Sequence, residues 1–98
     1  MRIMNKPVSL EQARRIGLAL GVDFTRIPEG EYRRGLEVEL EHGANDPQTN
    51  VTDSDEKLTG KIAWAHLKEF SDYYTRLDAM EAQARRDWAE KGKPEPGR

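Results

Sequence analysis

Apolar residues in this chain recur at three- and four-residue intervals, and no segment shows the two-residue alternation of β-branched side chains that a half-buried strand requires. That spacing predicts an all-α fold, a compact single domain of about four helices. Charged residues make up 35% of the chain and hydrophobic ones 36%, so the core must come from a few short stripes within a densely charged surface. A chain of 98 residues can bury one modest core of this kind without a metal or disulfide.

The helix boundaries are written in the punctuation. Ser9 with Gln12 forms a capping-box start, and Gly21 a stop, which frames helix one over residues 10–20 with Leu10, Ala13, Ile16, Ala19 and Leu20 toward the core. The connection carries Val22, Phe24 and Ile27, spaced to fold back under that helix. Pro28 suits the start of helix two, expected over residues 29–42 with Tyr32, Leu36 and Leu40 as its stripe and Gly43 as a left-handed cap. Residues 44–54, rich in Asn, Asp and Thr and containing Pro47, predict one long loop between helices two and three. Helix three should begin around Asp53 to Asp55, capped by one of these or by Ser54, and extend to about Phe70, with Leu58, Ile62, Ala65, His66, Glu69 and Phe70 on one face. Ser71 or Asp72 should then cap helix four, in which Leu77, Met80, Ala84 and Trp88 follow a tyrosine pair. Residues 1–90 are thus expected to form the helical domain, and the Gly- and Pro-containing stretch 91–98 a mobile tail.

Several functions are disfavoured at this level. Without cysteine there is no thiolate nucleophile and no Cys-ligated metal. The net charge of -2 gives no global attraction to phosphate backbones, and the arginines at 14, 15, 26, 33 and 34 are interleaved with glutamates, which reads as a solvated face rather than a DNA-binding one. No apolar run approaches the ~20 residues of a membrane span, and the N-terminus lacks a signal-peptide core, so a cytoplasmic protein without a membrane partner is expected. The hydroxyls of Thr49, Thr52, Thr59, Tyr73 and Tyr74 lack the setting of an activated nucleophile. The loop acids Asp46, Asp53 and Asp55 lack the glycine and closing glutamate of an EF-hand.

The remaining candidate chemistry lies at the two histidines. Glu39-x-x-His42 precedes the long loop and His66-x-x-Glu69 follows it, each pair on one side of a helix. Glu39, His42, His66 and Glu69 therefore form a candidate site for a divalent transition metal, since imidazole and carboxylate suit such ions. A plain antiparallel pairing of helices two and three would hold the two clusters more than about 10 Å apart. The alternative expectation is that no cofactor binds, that Glu39 and His42 act near a helix end, and that His66 and Glu69 enter a buried polar network fixing helices two, three and four. Trp64, Trp88, Tyr73 and Tyr74 are the candidate contacts for a protein partner, because large aromatics anchor interfaces when exposed.

As a set, VELEHG, TNVT, TGKIAWAHLKE, DYYTRL and Met80-Glu81 resemble an uncharacterised family of small bacterial and phage-encoded proteins. Its members share Glu-His-Gly before the loop, Thr-Asn-Val-Thr within it and Lys-Ile-Ala-x-Ala-His-Leu-x-Glu after it. The resemblance covers roughly residues 10–81. It implies a bacterial or phage cytoplasmic setting and carries no activity with it. Composition and aromatics together point to a protein-binding accessory module ahead of a metal-dependent enzyme or a DNA-binding regulator.

Overall fold

The structure, a computed structural model, describes residues 7–91, so the greater part of the expected tail falls outside the described residues. Helices α1 (Leu10–Leu20), α2 (Glu29–Asn45), α3 (Glu56–Glu69) and α4 (Tyr73–Lys91) make up the fold, and no strand occurs among the described residues. The all-α expectation therefore holds.

Helix α1 begins with the reciprocal capping box of Ser9 and Gln12 and ends on Gly21 at φ 96°, a conformation that glycine adopts without a Cβ penalty. Ala13 and Ile16 are buried from this helix, and Val22 and Ile27 from the connection that folds beneath it. Leu10 and Ala19, expected on the same face, are exposed. Arg14 pairs with Glu29 and the Val8 amide donates to Glu37, so α1 and α2 form an antiparallel hairpin.

Helix α2 continues through Gly43 to Asn45, three residues beyond the expected end. Its stop is Asp46, in extended conformation because Pro47 follows and disfavours helical backbone before it. The Asp46 side chain accepts from the Gln48 amide, which turns the chain into the loop. Asp55 then caps α3 by accepting from the Leu58 amide.

Helix α3 buries a different face from the one its large residues suggest. Thr59, Gly60, Ala63 and Leu67 are inside, whereas Leu58, Ala65, Glu69 and Phe70 are exposed and Phe70 lies beyond the helix end. Small residues win here because they let α1 and α2 approach. A Cβ at Gly60 would stand 2.7 Å from the Tyr32 hydroxyl, 2.8 Å from Leu20 Cδ1 and 2.9 Å from Ile16 Cγ2. The Tyr32 hydroxyl donates to the Gly60 carbonyl across that contact.

Helix α4 runs alongside α2 in the same direction: Glu31 meets Tyr74 and Thr75, Arg34 meets Asp78, and His42 shares a groove with Glu81 and Arg85. Only Tyr74 is fully buried from α4. Leu77 packs against the core, while Met80 and Trp88, expected on the same stripe, are exposed. No side chain of Ser71 or Asp72 caps α4. The carboxylate of Glu31, from α2, accepts from the amides of Tyr74 and Thr75 and from the Thr75 hydroxyl, satisfying the free donors of the first turn from a neighbouring helix.

Candidate functional site

Tyr74 is the point at which α2, α3 and α4 meet. Its hydroxyl donates to Glu39 Oε2 at 2.8 Å, which uses the only phenolic hydrogen. His66 Nδ1 lies 2.9 Å from the Tyr74 hydroxyl oxygen and 3.3 Å from Glu39 Oε2, so Nδ1 carries the hydrogen in this arrangement and donates to the hydroxyl, with the carboxylate close beside it. The Tyr73 ring stacks on His66 with centroids 4.4 Å apart and planes 3° from parallel, and Tyr74 meets the same imidazole edge-on. Burial, reinforced by the neighbouring Glu39 charge, raises the Tyr74 pKa far above that of a free phenol, which holds it as a hydrogen-bond donor.

Gly35 makes this meeting possible. It sits in the middle of α2 with the Tyr74 ring directly against its Cα side, at a separation that admits no side chain. The residues of the network thus come from three helices, and each helix contributes one polar group: Glu39, His66 and Tyr74.

The four candidate metal ligands divide. Glu39 and His66 are together; His42 lines a cleft with Glu39; Glu69 is exposed at the end of α3 and stands outside the cluster, where the sequence reading placed it in the apolar stripe. Glu69 leaves the stripe because α3 is rotated onto its small residues. Among the described residues no group of three or more His, Asp or Glu side chains is placed to hold a metal ion. Glu39 and His66 approach more closely than a plain antiparallel pair allows because the loop runs back beside α2. Thr49 and Thr52 line one cleft with Glu39 and His42, and Ser54, Glu56 and Thr59 line another with Leu36 and Leu40, so α3 starts beside the middle of α2.

The aromatic candidates divide as well. Tyr74 has no exposed surface and belongs to the core, and Tyr73 is half-buried against His66. Trp88 is 43% exposed on the outer part of α4. Trp64 packs its edge on the core near Gly21 and turns a face to Lys68, whose Nζ lies 4.8 Å from the ring centroid. It lines a groove of about 610 Å³ with Asp23, Arg26, Ile27, Leu67, Lys68 and Ser71.

The arginines that the sequence places on a solvated face have acidic neighbours: Arg14 with Glu29, Arg15 with Glu56, Arg33 with Glu37, Arg34 with Glu37 and Asp78, and Arg26 only loosely with Asp23 at 3.9 Å. The Arg34 fork holds the Asp78 carboxyl below its usual range through paired hydrogen bonds. Sequence reasoning did not find Glu31 or the central place of Tyr74, since neither has a periodic signal.

Among the described residues no helix is long and apolar enough to cross a membrane. The fold defines a small all-α domain in which Glu39, His66 and Tyr74 join three of the helices. A family model described as "Protein of unknown function (DUF5661)" matches residues 13–83, and the chain belongs to that family. No curated protein and no solved structure matches the chain.

Proposed function

We propose that the chain is a protein-binding module, acting in the bacterial or phage-infected cytoplasm that its family resemblance implies, and that the groove beside Trp64 is its contact surface. The observation that carries the reading is the make-up of that groove. Trp64, Ile27 and Leu67 supply apolar wall, and Arg26 and Lys68 stand at its border with one acid, Asp23. The Arg26 side chain is 86% exposed and reaches Asp23 only at 3.9 Å, so its charge is available to a partner. Such a surface suits a peptide segment with an apolar anchor flanked by carboxylates, the tryptophan giving affinity and the cations orientation.

Photo-crosslinking from position 71, in the host lysate, tests the reading. A discrete adduct is expected, weakened at least several-fold by Trp64→Ala and by the surface change Lys68→Glu, and retained in Trp88→Ala. Helical circular dichroism checks that each variant is folded. Equal crosslinking in folded Lys68→Glu and Trp64→Ala proteins would remove the groove from consideration.

A further inference from the structure

Helix α4 outruns the core that supports it. Glu31, Arg34 and Glu39 of α2 hold it through Tyr74, Thr75 and Asp78, near its start, whereas every residue from Arg85 to Lys91 is exposed. At ~1.5 Å per residue, that end carries roughly 10 Å of helix into solvent. It is not polar all round. Met80, Ala84 and Trp88 recur at four-residue intervals and so share one face. Met80 is 56% exposed and Trp88 43%, and neither joins the core cluster. Ala84 stands between them, and its small side chain lets a facing helix come close.

The charges beside this face define what fits it. Glu81 and Arg85, both with exposed side chains, pair at 3.6 Å along one flank, and Gln83 donates to Asp87 along the other. Over residues 81–91 the acids Glu81, Asp87 and Glu90 are balanced by Arg85, Arg86 and Lys91, so the helix end draws neither an acidic nor a basic partner from a distance. It is complementary to itself. A two-fold axis that sets two such helices antiparallel brings like flanks together. With that axis beside Gln83 and Ala84, Glu81 of each copy stands against Arg85 of the other, and Gln83 against Asp87. Met80 of each copy then meets Trp88 of the other, the two Ala84 residues mark the closest approach, and the two cores lie at opposite ends of the pair. A parallel pair would instead set the Glu81–Arg85 flank against the Gln83–Asp87 flank and carry both cores to the same end.

We propose that the outer face of α4 binds a second copy of this chain, as an antiparallel α4–α4 pair centred on Ala84. One helix pair buries less than the ~800 Å² per partner of a standard interface, so the association is weak and reversible. The face is separate from the Trp64 groove on α3, and either can fail without the other.

Sedimentation equilibrium of the full chain, from about ten micromolar to one millimolar, tests the proposal. A monomer–dimer equilibrium with a dissociation constant in the tens to hundreds of micromolar is expected. Trp88→Ala and Met80→Glu, both at exposed positions, should weaken it at least fivefold while circular dichroism remains that of the folded helix bundle. The register is tested by charge exchange. Glu81→Arg leaves two cations on the flank and Arg85→Glu leaves two anions, so each variant alone should self-associate several-fold more weakly than wild type. Mixed in equal amounts, the two variants restore opposite charges across the antiparallel pair and should form a mixed dimer tighter than either variant's own. A chain that stays monomeric to one millimolar, undiminished association in folded Met80→Glu, or a mixture no tighter than its components would overturn the proposal.

Discussion

Gly35 on α2 and Tyr74 on α4 touch so closely that a Cβ at position 35 would lie 2.5 Å from Tyr74 Cε2 and 3.0 Å from both Cδ2 and Cζ. The ring cannot swing away, because its hydroxyl is held by Glu39 and its backbone amide by Glu31. Gly35→Ala therefore sets two effects against each other. Removing glycine from a helix interior gains about 1 kcal/mol, whereas overpacking a fixed ring costs about 1–3 kcal/mol. The clash should win, lowering the urea midpoint by the equivalent of up to about 2 kcal/mol. Gly30→Ala, with no atom within 4 Å of the new methyl, should raise it by up to about 0.5–1 kcal/mol. A stabilised Gly35→Ala protein would show that α2 and α4 can separate at little cost.

Tyr74→Phe keeps the buried ring and removes one oxygen, leaving Glu39 without its donor and His66 Nδ1 without its nearer acceptor. A half-buried charged acceptor that loses its partner should cost about 1–3 kcal/mol. Glu39→Gln alone should cost less, since its amide oxygen can still accept from Tyr74. The two changes should couple, so that the double variant loses less than the sum of the singles by at least ~0.5 kcal/mol in a denaturation cycle. Strict additivity would mean that the Tyr74–Glu39 bond contributes little to folding.

Helices were legible in the sequence because caps and spacing are local. Ser9, Gln12, Gly21 and Pro28 set their ends without help from the rest of the fold. The end of α2 was less so: Gly43 is permissive and does not compel a stop, whereas Pro47 acts on Asp46 and does. The face of α3 is not legible from apolar size, because the fold selects small residues instead, a choice fixed by Ile16, Leu20 and Tyr32 on other helices. The union of Glu39 with His66 was hidden for the same reason. It depends on the path of the 46–55 loop, which runs through positive φ at Asp53 and Ser54, and no local spacing specifies that path.

Glu31 gives a third expectation. As its carboxylate closes the first turn of α4 from α2, Glu31→Ala should cost about 1 kcal/mol, the usual value of a lost N-terminal cap, despite the better helix propensity of alanine. Glu31→Gln should lie between Ala and wild type, since it keeps an acceptor and loses the charge that favours a helix N-terminus. Amide exchange at Tyr74 and Thr75 should accelerate in the order Glu, Gln, Ala. Unchanged exchange in Glu31→Ala would show that water caps this turn equally well.

Alkaline pH probes the core from inside. Burial pushes the Tyr32 hydroxyl up to about 12 from an ordinary value of 10.0, so the folded state holds this proton more tightly than the unfolded chain does. Its contribution is complete below the unfolded value and is lost as pH rises from about 10 through about 12, because the unfolded chain then releases a proton that the folded one retains. At ~1.4 kcal/mol per unit, that window removes about 3 kcal/mol of stability. Tyr74, raised by burial and then by Glu39, acts in the same direction. Denaturant midpoints should therefore be level at mildly alkaline pH and fall steeply above pH 10, with phenolate absorbance appearing together with unfolding. Tyr32→Phe gives up the bond to the Gly60 carbonyl and should be less stable at neutral pH, yet it should lose less on going alkaline. Ionisation of Tyr32 near pH 10 in a protein that remains folded would contradict its burial beneath α3.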